Sequence, residues 1–178
     1  MKKTLLARIA LAVVLLLLTF GTASSNKMAI LNFNKGEMTD DNNNTIVLLS
    51  EENTEKEGDY SLKMEFSERS KKSWSAVLKP KKDSWSGFTK VKIDVFNPEN
   101  KDLKLGWMIK GVADTRKDWP VTLKPGKNEV EVKIADVFCN DGRTPLDINK
   151  ISMWAFLNLE ERPITVFILK LYLEDDNK

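Results

Sequence analysis

Polar and apolar side chains alternate strictly in Lys90-Val91-Lys92-Ile93-Asp94-Val95. Successive side chains of a β-strand point to opposite faces of its sheet, so this pattern predicts a strand with one face on a core and the other in solvent. The same alternation recurs in residues 62–66 and 129–134. The period of two therefore indicates a protein built from half-buried strands.

Further strand candidates are more apolar or less regular. They cover residues 29–34, 45–50, 74–79, 103–112, 119–124, 151–158 and 164–174, which makes about ten strands in all. Turn-forming residues such as Asn97-Pro98 and Pro125-Gly126 separate them. Many short strands joined by polar turns are typical of an antiparallel β-sandwich of the jelly-roll type. The apolar run from residue 164 to 173 is expected to lie in the middle of a sheet, covered on both faces.

Residues 1–25 have the composition of a secretory signal peptide. Lys2, Lys3 and Arg8 precede an apolar run over residues 9–20, and small residues follow. The alternative is an uncleaved membrane anchor, but a spanning helix needs about 20 apolar residues, whereas this run has 12. We therefore expect cleavage after Ala23 or Ser25, a secreted or periplasmic protein, and a single domain of residues 26–178 that stays off the membrane.

Composition removes several classes of function. The chain has 178 residues, no histidine and one cysteine, Cys139, for which a buried apolar role is expected. Triads that need histidine, zinc sites that need histidine or several thiolates, and internal disulfides are therefore excluded. Removal of residues 1–25 leaves 153 residues with 25 basic and 26 acidic side chains, a net charge of −1. The positive charge of the whole chain thus belongs to the export signal and indicates no nucleic-acid partner.

Carboxylates remain as catalytic candidates, but no pair of them is singled out. Glycoside hydrolysis needs two carboxyl groups roughly 5–9.5 Å apart. Glu160 and Glu161 are neighbours in a turn before Pro163, so they are expected to point apart, and Asp94 is assigned to a solvent-facing phase beside lysines. The sequence therefore predicts no catalytic residue and no enzymatic activity.

Several short stretches follow one another along the chain with a characteristic order and spacing. They are Ile30-Leu31-Asn32-Phe33-Asn34, Glu57-Gly58-Asp59-Tyr60-Ser61, Asp83-Ser84-Trp85-Ser86-Gly87-Phe88, Leu123-Lys124-Pro125-Gly126-Lys127 and Leu146-Asp147-Ile148-Asn149. In this order they resemble the jelly-roll carbohydrate-binding modules with a galactose-binding-like fold that are often appended to bacterial glycoside hydrolases. The resemblance implies a non-catalytic domain that binds an extracellular glycan or polysaccharide, and it allows for a partner glycoside hydrolase.

The same resemblance raises the question of a structural calcium ion. Many such modules hold one with an acidic residue early in the first strand and an aspartate in the last, and here Asn34 and Leu169 stand at these positions. Calcium takes about six to eight oxygen ligands, several of them charged. Since a leucine supplies none, we expect the calcium site to be lost and no other metal or cofactor to be bound.

Tryptophans are the leading candidates for sugar binding, because an indole face can cover the C–H face of a pyranose. Trp154 shares a strand phase with Ser152, Phe156 and Asn158. This mixture of polar and aromatic groups suits either a binding platform or a packing surface under a long loop.

The sequence gives weaker support to the other tryptophans as sugar-binding residues. Trp107 is in phase with apolar neighbours, so a core position is favoured although it stays a candidate, and core or structural positions are favoured for Trp74 and Trp85. Trp119 follows a polar loop in which Asp114 and Arg116 are able to bond sugar hydroxyls, and the alternative is an ordinary solvated loop. The candidate ligand-binding residues are Trp154, Trp107, Trp119, Asp114 and Arg116.

The rival hypothesis is a structural or adhesive accessory β-sandwich that contacts another extracellular protein and has no sugar site. One fold hosts many functions, so the fold alone does not separate the two. Exposure of Trp154, together with Trp107 or Trp119, would favour sugar binding, and burial of these rings would favour the rival.

Overall fold

A computed structural model describes residues 26–39, 41–42, 45–68, 76–78, 85–112 and 115–176. The predicted signal peptide, Trp74 and Asp114 lie outside these ranges. Within them the chain forms eleven strands and two short 3-10 helices, Phe33–Lys35 and Ile134–Asp136. The strands are β1 (Asn26–Leu31), β2 (Asp41–Asn42), β3 (Thr45–Ser50), β4 (Ser61–Phe66), β5 (Ala76–Leu78), β6 (Lys90–Asn97), β7 (Leu103–Gly111), β8 (Arg116–Leu123), β9 (Gly126–Lys133), β10 (Ile151–Asn158) and β11 (Ile164–Asp175).

The strands form two antiparallel sheets. The six-stranded sheet has the order β3-β4-β11-β6-β9, and β1 pairs with β11 beside this path. The five-stranded sheet has the order β2-β5-β10-β7-β8. Apolar side chains of both sheets meet in one core. The predicted all-β, antiparallel sandwich is confirmed, and none of the helices in the described ranges has the length and apolar character of a membrane span.

The last strand, β11, lies in the middle of the six-stranded sheet, as its apolar sequence predicts. Val166 and Ile168 face the core, and Phe167 on the opposite face is only 3% exposed. A β-bulge between Ile168 and Lys170 shifts the register against β6. Because of this extra residue, Lys170 lies on the same outer face as Phe167, and the strand stays in phase with the core beyond the bulge.

The N-terminal strand ends earlier than the alternation predicts. After Leu31 the chain turns into the 3-10 helix, where the N–H of Lys35 donates to the carbonyl of Asn32 (3.0 Å). Gly36 closes this turn with φ at +75°, a conformation that glycine adopts without strain. Phe33 is thereby brought into the core.

Two smaller predictions are confirmed. Gly126 has φ at +85°, as expected for a tight Pro-Gly turn that leads into the next strand. Cys139 is buried, as expected for a small apolar side chain.

Candidate functional site

Trp154 and Trp107 are buried in the core and present no face to a ligand. Their exposed fractions are 0% and 1%, and Trp85 is 1% exposed. The ring centroid of Trp154 lies 5.1 Å from that of Trp85 and 5.5 Å from that of Trp107. The assignment of Trp154 and Trp107 as ligand-binding residues is therefore wrong: both rings fill the space between the sheets.

The polar neighbours of Trp154, which suggested a binding platform, donate hydrogen bonds to backbone carbonyls instead. Ser152 lies in a bulge of β10, and its hydroxyl donates to the carbonyl of Gly111 (2.9 Å). The Asn158 amide is buried and donates to the carbonyls of Ser67 and Arg162, both at 2.7 Å. The mixed face that the sequence indicates is thus an apolar face with polar groups at its two ends.

Trp119 and Arg116 lie on the same strand, β8, but on opposite faces. Trp119 is half-buried and packs on Trp107, with 5.0 Å between ring centroids. The Arg116 guanidinium donates to Asp118 Oδ2 from Nε (3.1 Å) and from an NH₂ group (2.8 Å). The structure therefore does not combine these two predicted residues into one site.

The positions expected for calcium do not suit the ion. The Asn34 side-chain oxygen accepts a hydrogen bond from the N–H of Tyr60 (2.8 Å), and its NH₂ group donates to Asp59 Oδ1 (2.9 Å). Leu169, in the bulge of β11, offers no side-chain oxygen. Calcium takes about six to eight oxygen ligands, and within the described ranges no three acidic or cysteine side chains form a metal cluster. Asn34 thus closes a loop by hydrogen bonding at the position where the resemblance raised the question of an ion.

A cavity of about 440 Å³ opens at the place where β11 changes its neighbour from β4 to β1. Its walls come from four segments: β1, the turn that follows it, the loop of residues 51–60, and the bulged part of β11. Bulges in β1 and in β11 flank it, and bulges commonly re-aim side chains beside functional sites. Among its lining residues are Asn32, Asp59, Tyr60, Lys170 and Tyr172.

The two tyrosines of the cavity differ in their surroundings. Tyr60 is 37% exposed and stands at the rim. Tyr172 is 8% exposed, and the Lys27 ammonium lies 5.1 Å from the centroid of its ring. Burial, aided by the negative charge of Asp94, raises the pKa of Tyr172 to about 12, so its hydroxyl stays neutral and can donate a hydrogen bond.

Next to the cavity, the outer face of the six-stranded sheet carries a dense set of ion pairs. The Lys92 ammonium lies 2.9 Å from Glu174, 3.1 Å from Glu131 and 3.3 Å from Glu129. Burial lowers the pKa of Lys92, but the three carboxylates outweigh it and raise the pKa above its ordinary value. Lys90 and Lys27 also pair with Glu131 and Glu174, so the three lysines and three glutamates of this network balance one another in charge.

Asp94 is the exception on this face. It lies on β6 opposite Lys170 of β11 and Glu129 of β9, and it is only 5% exposed. Its Oδ1 has no hydrogen-bond partner in the part of the chain that the structure describes. Burial raises the pKa of Asp94, against the lowering effect of Lys127 and Lys170. A buried carboxylate with an unpartnered oxygen in the middle of a sheet face is a candidate ligand acceptor.

The sequence did not single out Asp94, Tyr172 or Glu55, which also lines the cavity, as site residues. Asp94 and Tyr172 follow the ordinary alternation of a strand, and Glu55 is one of several charged residues in a loop. Tyr60 belongs to a stretch that carries the family resemblance, which was the one signal available for it. The cavity itself depends on bulges that leave no mark in the hydropathy pattern.

No protein-family model matches the sequence, and no curated protein matches it either. Solved structures do match its fold. A family 11 carbohydrate-binding module from Clostridium thermocellum, solved with a β-1,3-1,4-mixed-linked tetrasaccharide, has a TM-score of 0.57 at 11% identity, over 87% of this chain and 91% of that one. A family 30 carbohydrate-binding module has a TM-score of 0.56 at 13% identity, over 89% and 92%.

An agarase also matches, with a TM-score of 0.62 at 11% identity, over 84% of this chain but only 24% of the enzyme. At these identities the likeness concerns the fold alone. It confirms that the chain folds like the jelly-roll modules that its sequence stretches resemble.

Proposed function

We propose that this protein is a secreted, non-catalytic carbohydrate-binding module that holds a glycan in the cavity and on the adjoining outer face of the six-stranded sheet. The observation that carries the proposal is the placement of Tyr60 and Asp94. A partly exposed aromatic ring lines the cavity, and a buried carboxylate, one oxygen of which has no partner among the described residues, lies opposite the cavity-lining Lys170. The sandwich that carries them has carbohydrate-binding modules among its solved structural neighbours.

The chemistry of these groups suits a sugar. A tyrosine ring covers the apolar C–H face of a pyranose, while carboxylate and amide groups bond its hydroxyls. The neighbouring ammonium groups are already paired with carboxylates, which favours an uncharged glycan. The β-1,3-1,4-mixed-linked glucan and agarose are the first polymers to test, since the neighbouring structures include a complex with the former and an agarase.

A non-catalytic role is supported by the surroundings of the carboxylates that a hydrolase would need. Glu160 accepts a hydrogen bond from the N–H of Lys104 (2.8 Å), and Glu161 is exposed. An acid and a base aimed at one bond are therefore not assembled in this turn. A catalytic domain, where one is required, would come from a partner glycoside hydrolase.

Replacement of Tyr60 by alanine tests the proposal. Stacking of an aromatic ring contributes about 0.5–1.5 kcal/mol beyond burial, so the dissociation constant should rise roughly twofold to tenfold. Binding is first sought on a glycan array and then measured by retardation in native gels that contain the polysaccharide. Phe138→Ala is the matched control, because Phe138 is 41% exposed and does not line the cavity.

The expected result is weaker retardation of Tyr60→Ala, with Phe138→Ala unchanged and both melting temperatures close to that of the original protein. Equal retardation of all three proteins would place the glycan elsewhere. A protein that binds no glycan on the array would contradict the proposal as a whole.

The rival function, an accessory domain that contacts another extracellular protein, is favoured by two observations. Trp154 and Trp107 are buried, and the edge strand β3 exposes Ile46 at 58% and Leu48 at 50%. An uncharged edge strand with exposed apolar side chains is a surface that other chains can pair with. Absence of glycan binding together with binding to another extracellular protein, lost on replacing Ile46 and Leu48 by lysine, would support this function.

A further inference from the structure

The residue that invites a further inference is Asp94. Its carboxylate lies on a sheet face that otherwise meets solvent, yet it is 5% exposed and its Oδ1 lacks a partner among the described residues. Leaving a buried carboxylate oxygen unpaired is unfavourable, because the group has lost its hydration without gaining a hydrogen bond. Two questions therefore arise for Asp94: which residue covers it, and which donor its free oxygen binds.

Glu55 supplies a cover. It comes from the loop of residues 51–60, and its carboxylate accepts one hydrogen bond from Lys170 (2.6 Å) and another from Lys127. Lys170 belongs to β11 and Lys127 to β9, which are the two neighbours of β6. The bridge from Lys127 through Glu55 to Lys170 therefore passes over β6.

The register places this bridge at Asp94. Lys170 is directly opposite Asp94 on β11, and Lys127 is opposite Phe96 on β9, two positions along the same face. The charges of Lys127, Lys170 and Glu55 all act on Asp94. Lys92 and Phe96 lie two positions to either side of Asp94 on β6, and Glu129 is opposite it on β9. Tyr172 of β11 is close enough for the charge of Asp94 to raise the pKa of its hydroxyl.

The bridge is more accessible to water than the residue beneath it. The side chains of Glu55, Lys127 and Lys170 are 41%, 50% and 50% exposed. Ion pairs this exposed are weak, since water and salt compete for both partners. The loop is anchored at its end by the bonds of Asp59 and Tyr60 to Asn34, so the Glu55 side chain can swing away while the loop stays in place.

We infer that Glu55 is a latch over Asp94, and that a glycan must displace it before Asp94 accepts a hydrogen bond from a sugar hydroxyl. The inference rests on the proposed function and adds a step to it. With the latch closed, only a fraction of the molecules is competent, and the apparent affinity is reduced by that fraction. Replacing the Glu55 carboxylate should therefore strengthen glycan binding, although it removes a charged group from the outer face of the six-stranded sheet.

The test compares Glu55→Gln, Asp94→Asn and the exposed-loop control Glu161→Gln in the full protein. Native gels contain either β-1,3-1,4-mixed-linked glucan or agarose. Glu55→Gln should bind about threefold to tenfold more tightly, because a neutral amide with one acceptor oxygen holds the two ammonium groups less strongly than a carboxylate does. Asp94→Asn should bind more weakly by a similar factor, and Glu161→Gln should match the original protein.

Salt provides a second readout. Salt screens the latch, so the affinity of the original protein should approach that of Glu55→Gln as ionic strength rises. Asp94→Asn should also melt no lower than the original protein, since it removes a buried charge, and this separates a lost ligand contact from a lost fold.

The outcomes separate the latch from the proposed function. If the original protein binds and Glu55→Gln binds equally or more weakly, the latch is wrong while carbohydrate binding stands. If Asp94→Asn binds as well as the original protein, Asp94 is no acceptor and the inference is overturned. If neither the original protein nor Glu55→Gln is retarded by either polymer, the result counts against carbohydrate binding and the latch together.

Discussion

Trp154 contacts two other indoles, and no part of its surface reaches solvent. At the level of single residues, this burial is the main difference between the molecule and the expectation from its sequence. Both alternating phases of β10 are largely apolar, since Met153, Ala155 and Leu157 fill the phase opposite Trp154. Periodicity identifies a strand in such a segment, but it does not say which phase faces the core.

Trp154→Ala is expected to destabilise the protein strongly. Removing a buried aromatic ring loses its transfer free energy and leaves a cavity, so the free energy of unfolding should fall by about 3–5 kcal/mol. Urea denaturation followed by circular dichroism measures the change. The control is Tyr60→Ala at the exposed rim, for which the loss should stay below about 1 kcal/mol. An equally small loss for Trp154→Ala would mean that its ring is not part of the packed core.

The same hydrogen-bonding pattern occurs at the ends of two strands. β6 ends at Asn97 and β10 at Asn158, and each side-chain amide donates to two backbone carbonyls. Each side-chain oxygen accepts the N–H of the glutamate two residues later, Glu99 or Glu160. The repeated Asn-x-Glu sequence thus marks the exit from two strands in different sheets, because a buried asparagine satisfies backbone groups that the sheet no longer pairs.

Asn158→Ala should therefore cost more than a typical polar substitution. Loss of the side chain leaves the part-buried carbonyls of Ser67 and Arg162 without their donor, at about 1–3 kcal/mol. Thermal denaturation of the variant is compared with that of Asn149→Ala, where the side chain is exposed. Similar melting temperatures for the two variants would show that water replaces the lost bonds at Asn158.

The strands could be predicted from the sequence more readily than the β-bulges within them. β3 and β10 have the bounds that the sequence predicts, and β11 is central as its apolar sequence requires. The bulge at Leu169 is a single additional residue inside an apolar run, so it changes no pattern that a sequence displays. Yet this bulge brings Lys170 and Tyr172 to the outer face, where the cavity forms.

At the scale of the whole molecule, the candidate site is assembled from distant segments. Glu55 lies 72 residues from Lys127 and 115 residues from Lys170 in the chain. Only the order of strands in the six-stranded sheet brings them together. The fold class could be predicted from the sequence because it depends on the local alternation of polar and apolar residues. The site could not be predicted, because it depends on the pairing of strands that are distant in the chain.

Export is the remaining expectation at this scale. Cleavage after Ala23 or Ser25 should give a mature chain that begins at Ser24 or Asn26. N-terminal sequencing and intact-mass measurement of protein recovered from the periplasm or the medium check this. A chain that retains Met1 and sediments with membranes would show that the apolar run of residues 9–20 serves as an anchor.

The tryptophan cluster also affects the intrinsic fluorescence of this protein. Trp85, Trp154 and Trp107 have ring centroids 5.1 Å and 5.5 Å apart in succession, and all three are shielded from water. Their emission is therefore that of indoles in an apolar, electronically coupled group, which shifts to longer wavelength when the sandwich opens. None of these three indoles lines the tyrosine-lined cavity, so a ligand bound there makes no direct contact with them and should leave their emission unchanged.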